Sequence, residues 1–183
     1  MDLDKVNLSA ISVTLGFKAK VELGYTKEDF DSNDIHIFHG KALLLEENFK
    51  QIKWVPALSI GIINRDIEDG GNDTDFYLVC TKLISGLPRP LLLSGSWRST
   101  KALANGLFGF RGHRKDQFEG VIAFLLTEKI TLGVEYKEQP DLDDWVTYCM
   151  RYNVQSNLQI DFGMGDLGEG LHNQFAFGIS YKF

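Results

Sequence analysis

The sequence predicts an all-β protein, an antiparallel up-and-down β-barrel that crosses a membrane. The last eleven residues alternate without a break between apolar and polar side chains, with Phe175, Phe177 and Ile179 in the apolar phase. Because successive side chains of a strand point to opposite faces, one face of this segment contacts an apolar medium and the other a polar one. The same alternation recurs about every fifteen residues, and the chain ends on Phe183, an aromatic ending typical of bacterial outer-membrane barrels.

Eleven strands follow from this pattern, each bounded by turn residues. They are expected at about 10–17, 18–25, 34–45, 53–65, 73–83, 89–99, 116–126, 129–137, 144–152, 158–166 and 173–183. The first two are joined by a very tight turn near Phe17 and Lys18. Residues 1–183 are expected to form a single domain. Since single-chain bacterial barrels have an even strand number, a complete barrel would have about twelve strands, with one N-terminal strand and the signal peptide absent from this sequence.

The connections between these strands differ in length and composition. Short turns are expected near residue 18 and at 46–51, 85–88, 127–128 and 153–157, and longer loops at 27–33, 66–72, 100–115, 138–143 and 166–172. The longer loops carry more Gly, Asp and Glu than the short turns do. Because outer-membrane barrels have short periplasmic turns and longer external loops, the short set is assigned to the periplasm and the long set to the outside.

Composition excludes two other classes of protein. No run approaches the roughly 18 to 20 apolar residues that a membrane helix needs, so a helical membrane protein is excluded. The net charge is −6, the pI is near 5.2, and no segment concentrates Lys and Arg, so nucleic acid is not an expected partner.

A soluble, lipocalin-like barrel that binds an apolar ligand is the alternative, because alternation alone does not say which face is inside. Small residues on the polar face, such as Gly133, Gly163 and Ala176, favour the membrane barrel. The two alternatives predict opposite orientations. In the membrane barrel the outward side chains are Leu132, Val134, Tyr136, Phe162, Phe175, Phe177 and Ile179, and the enclosed ones include Glu135, Arg151 and Asp161.

Several stretches also carry a resemblance to a known family. They are FEGVIAFLLTEKITLGVEYKEQPDL at 118–142, DDW at 143–145, LQIDFGMGDL at 158–167, WVPALSIG at 54–61 and RSTKALANGLFGF at 98–110. These resemble an uncharacterised family of bacterial outer-membrane β-barrels, known only as a domain of unknown function. The resemblance covers most of the chain and implies a signal peptide and a further N-terminal segment in family members. It brings no established activity and no catalytic residues.

One charged constellation is expected on the inward faces of the strands. Its members, from the phase of each strand, are Lys20, Glu22, Lys41, Lys82, Arg98, Glu119, Glu135, Arg151, Asp161 and Lys182. Opposite charges fall on neighbouring strands, with Arg151 beside both Glu135 and Asp161. Charges that face a narrow lumen need partners or water. They form either an ion-paired filling or the wall of a narrow solute channel, and both are non-enzymatic roles.

Catalytic and metal sites have weaker support. A lipid hydrolase would need a His and a Ser together at the lipid-facing rim; His36 is expected there, but with Leu, Ile and Tyr as neighbours and no Ser or Asp. His113, with Arg111, Arg114 and Lys115, forms a basic cluster in an outer loop, either solvated or in contact with lipopolysaccharide phosphates. An acidic segment with Asp66, Glu68, Asp69, Asp73 and Asp75 has no EF-hand spacing and is expected to be solvated.

The expected partners are therefore few. They are outer-membrane lipid, lipopolysaccharide phosphates at the outer loops, and the barrel-assembly machinery, which would recognise the C-terminal strand. No metal, cofactor or catalytic residue is expected.

Overall fold

The computed structural model describes residues 8–18, 20–30, 33–68, 70–103, 106–107, 109–140, 142–166 and 173–182. Eleven strands lie in these ranges and form one sheet in which each strand pairs with the next along the chain. They are β1 (Leu8–Phe17), β2 (Val21–Phe30), β3 (Asn33–Leu45), β4 (Ala57–Ile67), β5 (Gly71–Ile84), β6 (Leu91–Ala102), β7 (Phe110–Leu125), β8 (Ile130–Lys137), β9 (Trp145–Gln155), β10 (Leu158–Asp166) and β11 (Asn173–Tyr181). The prediction of eleven up-and-down strands is confirmed.

The predicted tight turn near Phe17 and Lys18 is confirmed, but the strand predicted at 18–25 lies at Val21–Phe30. β1 ends at Phe17, Lys18 has a φ of 48°, and the Lys20 amide donates to the Phe17 carbonyl at 3.0 Å. The predicted loop at 100–115 is wrong in extent, because β6 continues to Ala102 and β7 begins at Phe110. Backbone pairing does not require apolar side chains, so these strands extend beyond their apolar parts. Among the described residues, no helix is long and apolar enough to cross a membrane.

The chain divides into two compact units by its internal contacts. The first unit contains residues 1–80 and 96–117, and the second contains residues 81–95 and 118–183. The connections after β1, β3, β5, β7 and β9 define one end of the strands, here called the turn end. The connections after β2, β4, β6, β8 and β10 define the other, here called the loop end.

The first unit has one apolar cluster at the loop end of its strands. Ile35, Ile37 and Ile67 are buried, and Ile63, Leu107 and Phe110 pack against them. Since Ile35 lies opposite Ile67 in the register of β3 and β4, the cluster begins as a cross-strand pair. It lies on the same face of β3 as Lys41, because these positions are separated by an even number of residues.

The second unit has a continuous row of small side chains on its polar face. Across the register of β7 to β11 the row is Ala123, Gly133, Cys149, Gly163 and Ala176. Small side chains leave space beside the backbone on this face. The predicted small-residue pattern of the polar face is therefore continuous across five strands.

The opposite face of the second unit is apolar and exposed. Phe175 is 80% exposed and Phe177 is 63% exposed, and the other residues predicted to face outward are also exposed: Leu132, Val134, Tyr136, Phe162 and Ile179. The first unit shows the same arrangement, with Ile11, Val13, Leu15 and Phe17 all exposed along β1. A soluble barrel buries such side chains, so the orientation contradicts the lipocalin-like alternative and matches the membrane barrel.

Candidate functional site: the charged face of the sheet

A buried triad of charges lies on the polar face of the first unit. Arg65, Asp75 and Arg98 come from β4, β5 and β6, and all three are buried. Nη1 of Arg65 donates to Oδ2 of Asp75, and Nε of Arg98 lies 3.8 Å from the same oxygen. One carboxylate thus joins three strands near their loop end. Its burial is stabilised by these charged partners, because an isolated carboxylate would carry a large desolvation cost.

The triad is packed among polar and apolar groups of the same unit. Two further polar residues of this unit are buried, Thr100 in β6 and Gln117 in β7. Thr100 accepts a 2.9 Å hydrogen bond from the Ala102 amide. Gly106 is buried against the Arg65 side chain: a Cβ there would lie 3.1 Å from Cδ of Arg65. The Arg65 side chain therefore lies against Gly106, a residue of the connection between β6 and β7.

At the turn end of the first unit the charges are more accessible. Lys41 lies opposite Glu22 in the register, with Nζ 3.2 Å from Oε1, and Lys20 lies 3.2 Å from Glu46. Both pairs are well exposed to solvent. A cavity of about 220 Å³ is lined by Lys20, Glu22, Lys41 and Ser59, among others. This part of the polar face is open to water.

The second unit contributes two further ion pairs. Glu119 and Lys137 are directly opposite in β7 and β8, with Oε1 and Nζ 2.9 Å apart. Arg151 and Asp161 are directly opposite in β9 and β10, and Nε and Nη2 of the arginine donate to the two carboxylate oxygens at 2.7 and 3.3 Å. This two-point geometry is the strong form of the arginine–carboxylate interaction.

Three other members of the predicted charged constellation are Glu135, Lys82 and Lys182. Glu135 is half-buried and lies opposite Thr147, whereas Arg151 lies opposite Thr131, so the register does not place Glu135 beside Arg151. Lys82 is half-buried in β5. Lys182 follows β11 and is exposed, and its backbone amide donates to the carbonyl of Asn157 at 2.8 Å.

The sequence predicted a solvated acidic segment, and this prediction is wrong for two of its members. Asp75 is buried in the triad, and Asp73 pairs with Arg114 at 3.2 Å and with Lys101 at 3.8 Å. Asp69 lies outside the described residues. Across the described ranges, no group of three or more His, Cys, Asp or Glu side chains is arranged to hold a metal ion. The carboxylates of β5 serve as partners for basic side chains.

The basic cluster and His36 also differ from expectation. Arg111 and Arg114 lie within β7 and donate to the carbonyls of Ala102 and Ser99 at 2.8 and 3.1 Å, so they are not in a free loop. Nδ1 of His36 lies 2.7 Å from the hydroxyl oxygen of Tyr25. The register of β3 and β4 places Asp66 opposite His36. The expectation that no acid adjoins His36 was wrong.

Sequence reasoning missed Arg65, Asp75 and Lys137 as members of the charged face. Arg65 falls in the opposite phase to the exposed Ile60 and Ile62, a signal that was available in the alternation. It was overlooked because the strand was expected to stop there and Asp75 was assigned to a solvated segment. Burial at the end of a strand depends on what packs over it, and that information is not contained in periodicity.

Comparison with known proteins identifies the family and the fold. Residues 1–181 match the family described as "Protein of unknown function (DUF3034)". The chain belongs to this family. The resemblance to an uncharacterised barrel family of unknown function is thereby confirmed. No curated protein matches the chain.

Solved porin structures share the fold. A structure titled "KdgM porin" has a TM-score of 0.74 at 13% identity, covering 96% of this chain and 92% of that chain; a second, "KdgM porin in complex with disordered oligogalacturonate", gives the same values. A structure titled "NanC porin structure in rhombohedral crystal form" has a TM-score of 0.66 at 9% identity, covering 97% and 94% of the two chains. The predicted fold class, an antiparallel up-and-down β-barrel, is confirmed.

Proposed function

We propose that this protein is a non-enzymatic, porin-like channel of the bacterial outer membrane. The observation that carries the proposal is the combination of a porin fold with an exposed apolar face and a charged opposite face. In a transmembrane barrel the apolar face contacts lipid and the polar face surrounds the lumen. We assign the turn end to the periplasm and the loop end to the outside, which is the orientation that the sequence predicted. The predicted difference in length does not hold throughout, because the connection after β3 covers residues 46–56 and the one after β2 only residues 31–32.

The ion pairs of the polar face suggest the character of the channel. Glu22 pairs with Lys41, Glu119 with Lys137 and Asp161 with Arg151, so each of these charges has a partner of opposite sign on a neighbouring strand. A wall with nearly balanced charges discriminates weakly between anions and cations. We therefore propose a narrow channel with weak charge selectivity. The complex of KdgM porin with oligogalacturonate makes an oligosaccharide a reasonable solute to test.

An ion-paired filling that closes the lumen is the competing role for the same charged face. The buried triad and the apolar cluster of Ile35, Ile37 and Ile67 support a closed structure near the loop end of the first unit. The open cavity beside Lys20 and Lys41, and the exposure of Arg151, support a water-filled passage elsewhere. The two roles make different predictions for conductance.

Two partner proposals accompany this function. The C-terminal strand β11, with Phe175, Phe177 and Ile179 exposed, would engage the barrel-assembly machinery during insertion. Lipopolysaccharide phosphates would contact basic side chains at the loop end. Both follow from placement of the protein in the outer membrane.

Conductance across planar bilayers tests the channel directly. We expect discrete steps from the wild-type protein, with a cation-to-anion permeability ratio near one. Replacement of Asp161 by Asn leaves Arg151 unbalanced, so the ratio should shift towards anions. Substitution of an outward residue, Phe177→Leu, should leave the ratio unchanged. Insertion without steps above the leak of the empty membrane would rule out an open channel and leave the ion-paired filling.

A further inference from the structure

A basic and aromatic site lies at the loop end of the first unit, on the apolar face. The guanidinium of Arg114 lies 5.5 Å from the centre of the Phe76 ring, and this ring is itself exposed. Trp97 on β6, also exposed, lies four residues from Lys101, which places it on the same face of its strand. Lys101 and Arg114 thus border the apolar surface where it meets the loop end.

The charges of this site are unequal in number and in exposure. Lys101 and Arg114 share the single carboxylate of Asp73, at 3.8 and 3.2 Å. The side chain of Asp73 is only 12% exposed, whereas those of Lys101 and Arg114 are 36% and 33% exposed. Lys101, Arg114 and Asp73 together therefore carry one net positive charge, and the two cations are more exposed than the anion. One further exposed acid, Asp116, lies two residues from Arg114 in the same phase of β7.

Arg114 is held in place and still has donors available. Its Nη1 donates to the Ser99 carbonyl at 3.1 Å, and its Nη2 donates to the Thr74 carbonyl at 2.6 Å as well as to Asp73. A guanidinium has five N–H donors, so these bonds orient the group without using all of them. The ammonium of Lys101 has three donors, and among the described residues its ion-pair partner is Asp73, at 3.8 Å. A fixed arginine beside a flexible lysine is suited to a phosphate group.

We propose that Lys101 and Arg114 bind a phosphate of lipopolysaccharide at the outer boundary of the membrane, while Phe76 contacts the lipid. This rests on the proposed outer-membrane function. A phosphorylated lipid satisfies both parts of the site, because its phosphate meets the exposed cations and its acyl chains meet the apolar face. Aromatic and long basic side chains are characteristic of that boundary.

The site differs from the basic cluster that the sequence indicated. Lys101 was not part of that cluster, and Arg114 contributes from a strand on the lipid-facing side. The structure thereby assigns the contact to a pair of strand residues on neighbouring strands, β6 and β7. A pair of lysines at the turn end serves for comparison. Nζ of Lys50 lies 5.6 Å from the centre of the Phe49 ring, and Lys53 follows three residues later.

The test is lipid retention by the full chain in detergent micelles, measured by native mass spectrometry during titration with bisphosphorylated lipid A. The double variant K101Q/R114Q should bind about tenfold more weakly than wild type, as expected for loss of charge-assisted hydrogen bonds. The matched control K50Q/K53Q removes the same charge at the turn end and should bind within about twofold of wild type. Lipid A without its phosphates should bind wild type as weakly as bisphosphorylated lipid A binds the double variant.

Further variants guard against a purely structural effect of Arg114. K101Q alone should weaken binding, and R114K, which keeps the charge, should retain most of it. Equal affinity of K101Q/R114Q and wild type would overturn the proposal, as would equal binding of the dephosphorylated lipid. Full competition by inorganic phosphate at equal concentration would assign the site to free anions instead. Since binding is read in micelles, a failure of conductance in bilayers would count against the channel and not against this site.

Discussion

Two arginine–aspartate pairs, one in each unit, place the same chemical groups in opposite surroundings. The side chains of Arg65 and Asp75 are 6% and 2% exposed, whereas those of Arg151 and Asp161 are 51% and 34% exposed. Both pairs join neighbouring strands on the polar face. The buried pair is surrounded by protein, so we expect it to stabilise the contact between its strands. The exposed pair meets water, and under the proposed function it would contribute to the charge of the lumen wall. Location, not residue type, separates structural from solvent-facing charges here.

The largest effect should follow from breaking the buried pair. Asp75→Asn leaves Arg65 buried without its carboxylate partner, and we expect a loss of about 3 kcal/mol or more in the free energy of unfolding. Urea unfolding of the protein in detergent micelles measures this loss. A cost below about 1 kcal/mol would show that the triad is hydrated and that the contrast between the two pairs is wrong.

A smaller effect should follow from filling a glycine on the polar face. A Cβ at Gly61 would meet the Tyr77 ring and lie 2.5 Å from the Gly40 carbonyl oxygen, so backbone or ring must shift. We expect Gly61→Ala to cost about 1 to 3 kcal/mol in the same unfolding experiment. Gly178→Ala in the second unit is the matched control, because its Cβ would lie 3.8 Å from Cβ of Asp161, an ordinary contact. Similar costs for both substitutions would indicate that the two regions are equally close-packed.

The exposed pair should contribute little to stability. Asp161→Asn is expected to lower the free energy of unfolding by less than about 1 kcal/mol, because an exposed ion pair is screened by water and salt. The same variant should still alter ion selectivity in bilayers. A destabilisation as large as that of Asp75→Asn would mean that Arg151 is buried. The contrast between a buried and an exposed pair would then be wrong.

The smallest effect should be a pH dependence at the connection between β8 and β9. Asp144 accepts hydrogen bonds from the Tyr136 hydroxyl at 2.5 Å and from the Gln139 amide at 3.0 Å, and these hold the pKa of Asp144 below its ordinary value. A depressed pKa means that the stabilisation is complete above the unfolded-state pKa of about 4 and is lost as the pH falls through the folded-state value.

The measurement is thermal unfolding in micelles of wild type and Asp144→Asn from pH 7 down to pH 2.5. Wild type should be slightly more stable at pH 7, and the difference should narrow below about pH 4. A constant difference across this range would show that the carboxylate charge is not responsible.

Much of the fold was predictable because each strand has one face in an apolar and one in a polar environment, and its side chains alternate accordingly. In β11 every large apolar residue from Phe175 to Tyr181 falls in one phase, and the structure exposes them all on one face. In β8 and β10 the ends at Lys137 and Asp166 were also predicted. Short turns next to strands of strict period two leave little freedom in register.

The charged face was less predictable, and the reason is visible at particular residues. The pairing of Arg151 with Asp161 followed from neighbouring strands of known phase, and the register shows them opposite each other. The sequence predicted Glu135 beside Arg151, and this is wrong. Alternation shows which face of the sheet a side chain lies on, but it does not show which residue of the neighbouring strand lies opposite. Asp75 was missed because its burial depends on Arg65 and on the connection above it, which are distant in sequence.

In the proposed channel the apolar face contacts lipid while the polar face surrounds water. Single cysteines at neighbouring positions of β11, Phe177→Cys and Gly178→Cys, test it most directly, in a background where Cys80 and Cys149 are replaced by alanine. In lipid vesicles a water-soluble thiol reagent should label position 178 rapidly and position 177 slowly. Rapid labelling at 177 with protection at 178 would contradict the orientation and, with it, the channel.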